Sequence, residues 1–301
     1  MPAFRASREG VAEVMSSAAT PGRLLALTLA VAMLSACARA APTPAPEPTP
    51  AATATVEPSP TPQPTPTPAP TPTPDTESVL HYVSAHNLMA RGEYAEAEKR
   101  FTIVIQMEPE FARGWDGRGQ ARMLKGDFEK AVADFDRAIS LKPELAQAYS
   151  HRAVARLVVG DPLGANEDAT RSISLDPENP EPYIVLGRLL AAAGRFDDAL
   201  KRFDRAVQLA PDEAGAYWWR GRFRRDTGRF EEAMADFDRA AELSPAEASI
   251  YLDRAITRMM YRQDKGAARA DLEEAISLAR DPKRPDILDV AEELLKQLED
   301  W

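Results

Sequence analysis

The chain has 301 residues, with 37 Lys and Arg against 47 Asp and Glu, a formal net charge of −10 and one cysteine. This acidic balance argues against a general nucleic-acid-binding protein and against electrostatic attraction to anionic lipid, since both need a basic surface. A single cysteine excludes an intrachain disulfide.

The first 36 residues are predicted to be a signal peptide. The apolar run "LLALTLAVAML", Leu24–Leu34, is shorter than the roughly 20 residues that span a bilayer and has the length of a secretory core region. The "LSAC" that follows it resembles the lipobox of bacterial lipoproteins, which implies that Cys37 carries a lipid and becomes the new N terminus. The alternative is an ordinary secretory signal with a chance cysteine. The lipobox is favoured because the only cysteine stands at the lipidated position. We therefore expect a lipid-anchored protein on the extracytoplasmic side of a bacterial cell membrane.

Residues 37–77 are dominated by proline, threonine and alanine, and hold more than half of the chain's 26 prolines. Proline lacks an N–H group and fixes φ, so that helices and sheets are disfavoured. The segment also has almost nothing to bury. It is predicted to be a disordered, extended stalk that carries the remainder away from the membrane.

A motif then recurs every 34 residues. Each unit has two segments with apolar residues at helical spacing, a glycine between them and a proline at its end. An alanine and a phenylalanine recur in the second segment, with Ala169 replacing phenylalanine in one copy. The residues in register are Gly92, Gly126, Gly160, Gly194 and Gly228; Ala97, Ala131, Ala165, Ala199 and Ala233; Phe101, Phe135, Phe203 and Phe237; and Pro109, Pro143, Pro177, Pro211 and Pro245.

This pattern resembles the tetratricopeptide repeat (TPR) family, whose helix–turn–helix hairpins stack into a solenoid. The resemblance covers residues 78–282 as six copies. It implies an all-α fold, a right-handed solenoid of six hairpins. The residues are consistent with that fold, because glycine permits the left-handed conformation that ends a first helix and proline stops the second. One hairpin cannot bury its apolar face alone, so stability comes from stacking.

The sixth copy has Arg262 where glycine is expected, with one extra residue in its turn. Residues 283–301 follow it and are predicted to form a C-terminal capping helix that covers the end of the stack. The apolar face of this helix consists of Ile287, Val290, Ala291, Leu294 and Leu298.

Arginine and aspartate also recur in register. We predict ion pairs between the first and second segments of a unit, because the two residue types are present or absent together. In the fourth unit Leu186 replaces the arginine and Arg202 replaces the aspartate. The predicted pairs are Arg118 with Asp134, Arg152 with Asp168, Arg220 with Asp236, and Arg254 with Asp271.

The sequence contains no catalytic constellation, no glycine-rich phosphate loop and no metal-ligand spacing of cysteine and histidine. An enzyme is therefore not predicted, and neither a cofactor nor a metal is expected. The many carboxylates are interpreted as parts of solvated helix faces and of ion pairs.

The resemblance implies a concave groove, lined by the first helices, that binds a protein or an extended peptide. Two features of the predicted groove favour binding of an acidic or C-terminally exposed segment with an apolar anchor. The first is a basic, aromatic patch made of Arg188, Trp218, Arg222 and Arg225. The second is an apolar stretch beside it made of Leu252, Ile256 and Met259.

Two alternatives remain open. Trp218 is expected either to contact a ligand or to pack against a neighbouring helix. The convex face is the alternative binding surface, in which case the protein is a structural or assembly component of a cell-envelope complex. The chaperone-binding TPR proteins hold a terminal carboxylate with lysines and asparagines, but Tyr82, His86, Asp116 and Gln120 stand at those places. That activity is therefore not inferred.

Overall fold

The computed structural model describes residues 76–261, 264–280 and 284–299. The predicted signal peptide, Cys37, the stalk and Arg262 lie outside the described residues. Within them the chain forms thirteen α-helices and no strand. They are α1 (Thr76–Ala90), α2 (Tyr94–Met107), α3 (Ala112–Lys125), α4 (Phe128–Leu141), α5 (Ala146–Val159), α6 (Pro162–Leu175), α7 (Glu181–Ala192), α8 (Phe196–Leu209), α9 (Ala214–Asp226), α10 (Phe230–Leu243), α11 (Ala248–Tyr261), α12 (Lys265–Ala279) and α13 (Pro285–Glu299).

The helices pair in chain order as six hairpins, numbered 1 to 6, from α1–α2 to α11–α12, and α13 packs at the end. The predicted all-α architecture of stacked hairpins with a terminal helix is confirmed. The predicted glycine turns are also confirmed: at each of the five recurring glycines φ is positive, between 74° and 90°. Gly126, for example, ends α3 with φ 90°, and its N–H donates to the Met123 carbonyl at 3.0 Å.

The recurring phenylalanines fill the space between paired helices, and glycines on the first helices make room for them. Phe203 is 2% exposed, and a Cβ added to Gly187 would lie 2.9 Å from its ring. In hairpin 3 the two corresponding positions hold small side chains, Ala153 and Ala169, and both are fully buried. The missing phenylalanine of that unit is thus matched by a larger residue on its first helix.

Ion pairs connect the two helices of four hairpins, as predicted, and we call this series the Arg–Asp ladder. In hairpin 5, Arg220 donates from Nε and Nη2 to the two oxygens of Asp236 at 3.0 and 2.7 Å. The Asp236 side chain is only 3% exposed. The equivalent bonds join Arg118 to Asp134, Arg152 to Asp168, and Arg254 to Asp271.

The ladder is larger than the sequence prediction. A second arginine, one helical turn after the first, also binds each ladder aspartate: Arg122, Arg156, Arg224 and Arg258. In hairpins 3, 5 and 6 the first arginine additionally binds an aspartate on the preceding hairpin: Asp136, Asp204 and Asp238. The ladder therefore fastens neighbouring hairpins to each other as well as the helices within one hairpin.

The first helices of neighbouring hairpins contact one another along the stack, and each second helix packs between two first helices. Among the described helices, successive second helices make no comparable contact. The second helices are thus spaced more widely, so that the stack curves towards its first helices. The first helices form the inner face, where the sequence predicted the groove.

Helix α13 closes the C-terminal end, as predicted. Its buried residues are Ile287, Ala291, Leu294 and Leu298, and they belong to one apolar cluster with α11 and α12. Val290 is partly buried against the same cluster.

Candidate ligand-binding face

Two tryptophans and two arginines form a compact group on the inner face where α7 meets α9. We call this group the Arg–Trp cluster: Arg188, Trp218, Trp219 and Arg222. The Arg188 guanidinium lies 4.1 Å from the centroid of the Trp219 ring. The Arg222 guanidinium lies 5.0 Å from the Trp218 ring and 5.1 Å from the Trp219 ring. The structure thus brings together three of the predicted site residues and adds Trp219, which sequence reasoning missed.

Arg188 makes no hydrogen bond or ion pair with any residue that the structure describes. Burial, followed by the nearby positive charge of Arg222, lowers the pKa of Arg188 to about 10. Arg188 nevertheless stays charged at neutral pH. An arginine offers five N–H donors, and a half-buried arginine that uses none of them on the described residues is equipped to bind an external anion.

Asp253 of α11 holds the other side of the Arg–Trp cluster. Trp218 donates from Nε1 to Asp253 at 2.8 Å, and the Arg222 Nε lies 3.7 Å from the same carboxylate. Trp218 therefore fixes one hairpin to the next while its ring stays half-buried. Its predicted contact with a ligand stays a prediction. Asp253 directly follows the predicted groove residue Leu252 in the sequence, but no pattern in the sequence indicates that Asp253 belongs to the site.

Arg225 does not present the free donor that the sequence predicted. Its side chain is 5% exposed, and it forms ion pairs with Asp253 and with Asp226, the latter at 3.0 Å. Burial alone would lower the pKa of Arg225, but the charges of these two carboxylates outweigh it and raise the pKa. Arg225 therefore joins hairpins 5 and 6 internally.

The predicted apolar stretch is also placed differently. Ile256 is 7% exposed and belongs to the buried cluster that includes α13. Leu252 and Met259 are half-buried and pack against the same cluster. The capping helix adds its own apolar face to this cluster, so that these three residues do not form an open surface. Their predicted contact with a ligand stays a prediction.

A second polar network crosses the inner face of hairpins 2 to 4. The His151 Nδ1 lies 2.8 Å from the Asp116 carboxylate, and Glu181 lies 4.0 Å from the His151 Nε2. Burial opposes protonation of His151, but the charge of Asp116, its hydrogen bond and the charge of Glu181 raise the pKa of the histidine to about 9. Ser150 donates to Glu181 at 2.7 Å.

This arrangement does not resemble a nucleophile with its base. A histidine that is protonated at neutral pH cannot accept a proton, and Ser150, which is fully buried, is bonded to the glutamate instead. The network is an ionic tie across three first helices. In the described ranges no set of three or more His, Cys, Asp or Glu side chains is placed to hold a metal ion. None of the thirteen helices is long and apolar enough to cross a membrane.

Comparison with known proteins supports the repeat assignment. A family model for the tetratricopeptide repeat matches residues 82–148 and 184–248. No curated protein matches the sequence significantly.

Solved structures share the fold at low sequence identity. A chain of the Cut9–Hcn1 hetero-tetramer of the APC/C is 20% identical with a TM-score of 0.61; the match covers 74% of this protein but only 42% of that chain. A tetratricopeptide repeat protein from Parabacteroides merdae is 19% identical with a TM-score of 0.60, and the match covers 74% of this chain and 84% of that one. A thermophilic TPR protein from Thermus thermophilus is 22% identical with a TM-score of 0.55, and coverage is 61% and 99%. At these identities the likeness extends to the fold alone.

Proposed function

We propose that the protein, whose described helices stack as tetratricopeptide-repeat-like hairpins, is a scaffold that binds a partner protein or an extended peptide on its inner face. The observation that carries this proposal is the unpaired guanidinium of Arg188, held against Trp219. Arginine and tryptophan are the residue types that dominate binding energy in protein interfaces. Among the described residues, the Arg–Trp cluster therefore offers the ligand both a charged and an aromatic contact.

The cluster favours an acidic or C-terminally exposed segment. A carboxylate from the ligand would pair with Arg188, and the tryptophan rings would cover an adjacent apolar side chain. The protein carries a formal net charge of −10, so that an acidic ligand is repelled elsewhere and attracted to this basic site.

We further propose that the scaffold is tethered on the outer side of a bacterial cytoplasmic membrane, or in the periplasm, by a lipid on Cys37. The support for this is the sequence alone: a short apolar run, "LSAC", and a long proline-rich stalk before the repeats. In that arrangement the stalk would hold the binding face at a distance from the lipid surface.

The binding proposal is tested by crosslinking the full-length protein in its own cells and quantifying the recovered partners by mass spectrometry. Arg188→Glu should lower the recovery of a specific partner about tenfold or more, because the ligand carboxylate then faces a like charge. Arg205→Glu is the matched control: Arg205 is a partly exposed arginine on α8, and its one ion pair within the described residues is with the exposed Glu178 at 3.2 Å.

Loss of the same partner with Arg188→Glu but not with Arg205→Glu would support the inner face. Unchanged recovery with Arg188→Glu and Arg222→Glu, in variants that keep their cooperative melting, would reject the Arg–Trp cluster as the binding site and favour the convex face.

A further inference from the structure

The Arg–Asp ladder is interrupted at hairpin 4, and four residues change there together. Leu186 and Leu190 stand where the two ladder arginines stand in hairpin 5, and Arg202 stands where the ladder aspartate stands. Thr170, on the preceding hairpin, stands where the bridging aspartate stands. The corresponding residues of hairpin 5 are Arg220, Arg224, Asp236 and Asp204.

A cleft of about 510 Å³ opens at the interruption, between α6, α7 and α8. All four changed residues line it. In hairpin 5 the equivalent position is filled by two guanidinium groups and two carboxylates. We call this space the lateral cleft. Its volume lies in the range of pockets that bind small molecules or a few side chains of a protein.

Cations dominate the rim of the lateral cleft. Arg195, Lys201 and Arg202 all line it, against one carboxylate, Asp198. Asp198 already accepts hydrogen bonds from Arg195 at 2.6 Å and from Lys201 at 3.4 Å. These two bonds are the main reason why the pKa of Asp198 is lowered.

Arg202 is left without a counter-charge. It is exposed, and it makes no hydrogen bond or ion pair with any residue in the described ranges. Opposite it, Leu186 is 9% exposed and Leu190 is partly buried, so that an apolar wall faces a free guanidinium. Hairpins 2, 3, 5 and 6 hold a carboxylate at this position, whereas hairpin 4 presents a guanidinium that could bind one.

We propose that the lateral cleft is a second binding site, for a polypeptide segment with an acidic side chain beside an aliphatic one. The acidic group would pair with Arg202 and so complete the interrupted ladder from outside. The aliphatic group would lie on Leu186 and Leu190. This site is separate from the inner face: Leu186 and Arg188 are two residues apart on α7 and therefore point to nearly opposite sides of it.

The design of the repeats provides a variant that fills the cleft and should fold. The changes Leu186→Arg, Leu190→Arg, Arg202→Asp and Thr170→Asp reproduce in hairpin 4 the ladder that hairpin 5 already contains. We call this the ladder-restored variant. Its helical content and cooperative melting should match those of the wild type. Arg202→Gln is a milder variant that keeps the cleft and removes only its charge.

The probe is a phage-displayed library of random peptides, selected on the full-length protein and counter-selected on the ladder-restored variant. The selected peptides should be enriched in Asp or Glu next to Leu, Ile or Val. Their affinity should fall about tenfold or more with Arg202→Gln, and should be unchanged with Arg188→Glu, which alters the inner face only.

Three outcomes would overturn the proposal: no peptide that distinguishes the two proteins, selected peptides without an acidic residue, or binding that survives Arg202→Gln. Free succinate is included as a separate ligand. If succinate binds the wild type and not the ladder-restored variant while no peptide is selected, the cleft takes a small carboxylate and the polypeptide proposal is wrong.

Discussion

The charge on His151 gives the protein a pH-dependent contribution to stability. The pKa of His151 is raised to about 9 in the fold, against about 6.5 for a free histidine. A raised pKa stabilises the fold fully below the unfolded value, and this stabilisation is lost as the pH rises through the folded value.

We therefore expect the free energy of unfolding to fall between pH 6.5 and about pH 9 by an amount that His151→Gln removes. At about 1.36 kcal/mol per pKa unit, the loss is on the order of 2 to 3 kcal/mol. Urea denaturation of wild type and His151→Gln across this pH range measures it. Parallel stability curves for the two proteins would contradict the ionic tie to Asp116.

Two arginines on one face of α9 differ in burial, and the sequence alone does not predict which of them is buried. Arg222 and Arg225 both fall on the predicted groove, yet only Arg225 is buried, because Asp253 of the next hairpin is in place to pair with it. Such contacts depend on how far one hairpin is rotated against the next. The 34-residue register predicted pairs within a hairpin, but it left the pairs between hairpins unspecified.

The turns of the hairpins are set by backbone conformation rather than by packing. At Gly126 φ is 90°, and nothing lies within 4 Å of an added Cβ. Gly215, the second residue of α9, has equally open surroundings but no positive φ. Substitutions at the two positions therefore distinguish the effect of a positive φ from the effect of steric crowding around an added Cβ.

We predict that Gly126→Ala destabilises the protein by roughly 1 to 2 kcal/mol, because alanine is strained in the left-handed region. Gly215→Ala should instead stabilise it by about 0.5 to 1 kcal/mol, since alanine favours helix. Thermal unfolding of both variants checks the signs. If both changes destabilise the protein, the difference in φ does not explain the effect, and the added methyl group must disturb a contact at both positions.

Helix existence and helix ends were predictable because each has a local cause: helical spacing of apolar residues, a glycine at the turn, a proline after the second helix. The ladder's first arginines were visible for the same reason, since they recur in step with the aspartates. The burial of Ile256 was not predictable, because it follows from the packing of α13 into the same apolar cluster. The docking of one helix on another leaves no periodic signal in the sequence.

Across the full stack, stability is expected to be a sum of hairpins and their interfaces. The end of such a stack is its weakest part unless it is covered. Leu294 of α13 is 3% exposed within the C-terminal cluster. The covering of hairpin 6 should therefore depend on this side chain.

We predict that Leu294→Asp undocks α13 and destabilises hairpin 6 by roughly 3 kcal/mol or more, because it buries an unpaired charge and leaves a void. Hydrogen exchange should quicken in α11 and α12, with α3 to α6 unchanged. Glu293→Asp, at an exposed neighbour, is the control. Uniform acceleration along the whole chain would show that the stack unfolds as one unit.

The interruption of the Arg–Asp ladder also has a mechanical consequence. Hairpins 2 and 3, and likewise 4, 5 and 6, are cross-braced by arginines that bind aspartates on the hairpin before, while Leu186 and Thr170 provide no such brace. Among the described residues, the polar contacts that remain at the junction between hairpins 3 and 4 are those of Ser150 and His151 with Glu181 on the inner face, and the pair of Arg205 with Glu178 in the connecting segment. A junction that lacks the arginine–aspartate brace of its neighbours should bend more easily than they do. We expect the solenoid's elastic compliance to be concentrated at that joint, so that two stiff arms flex about it.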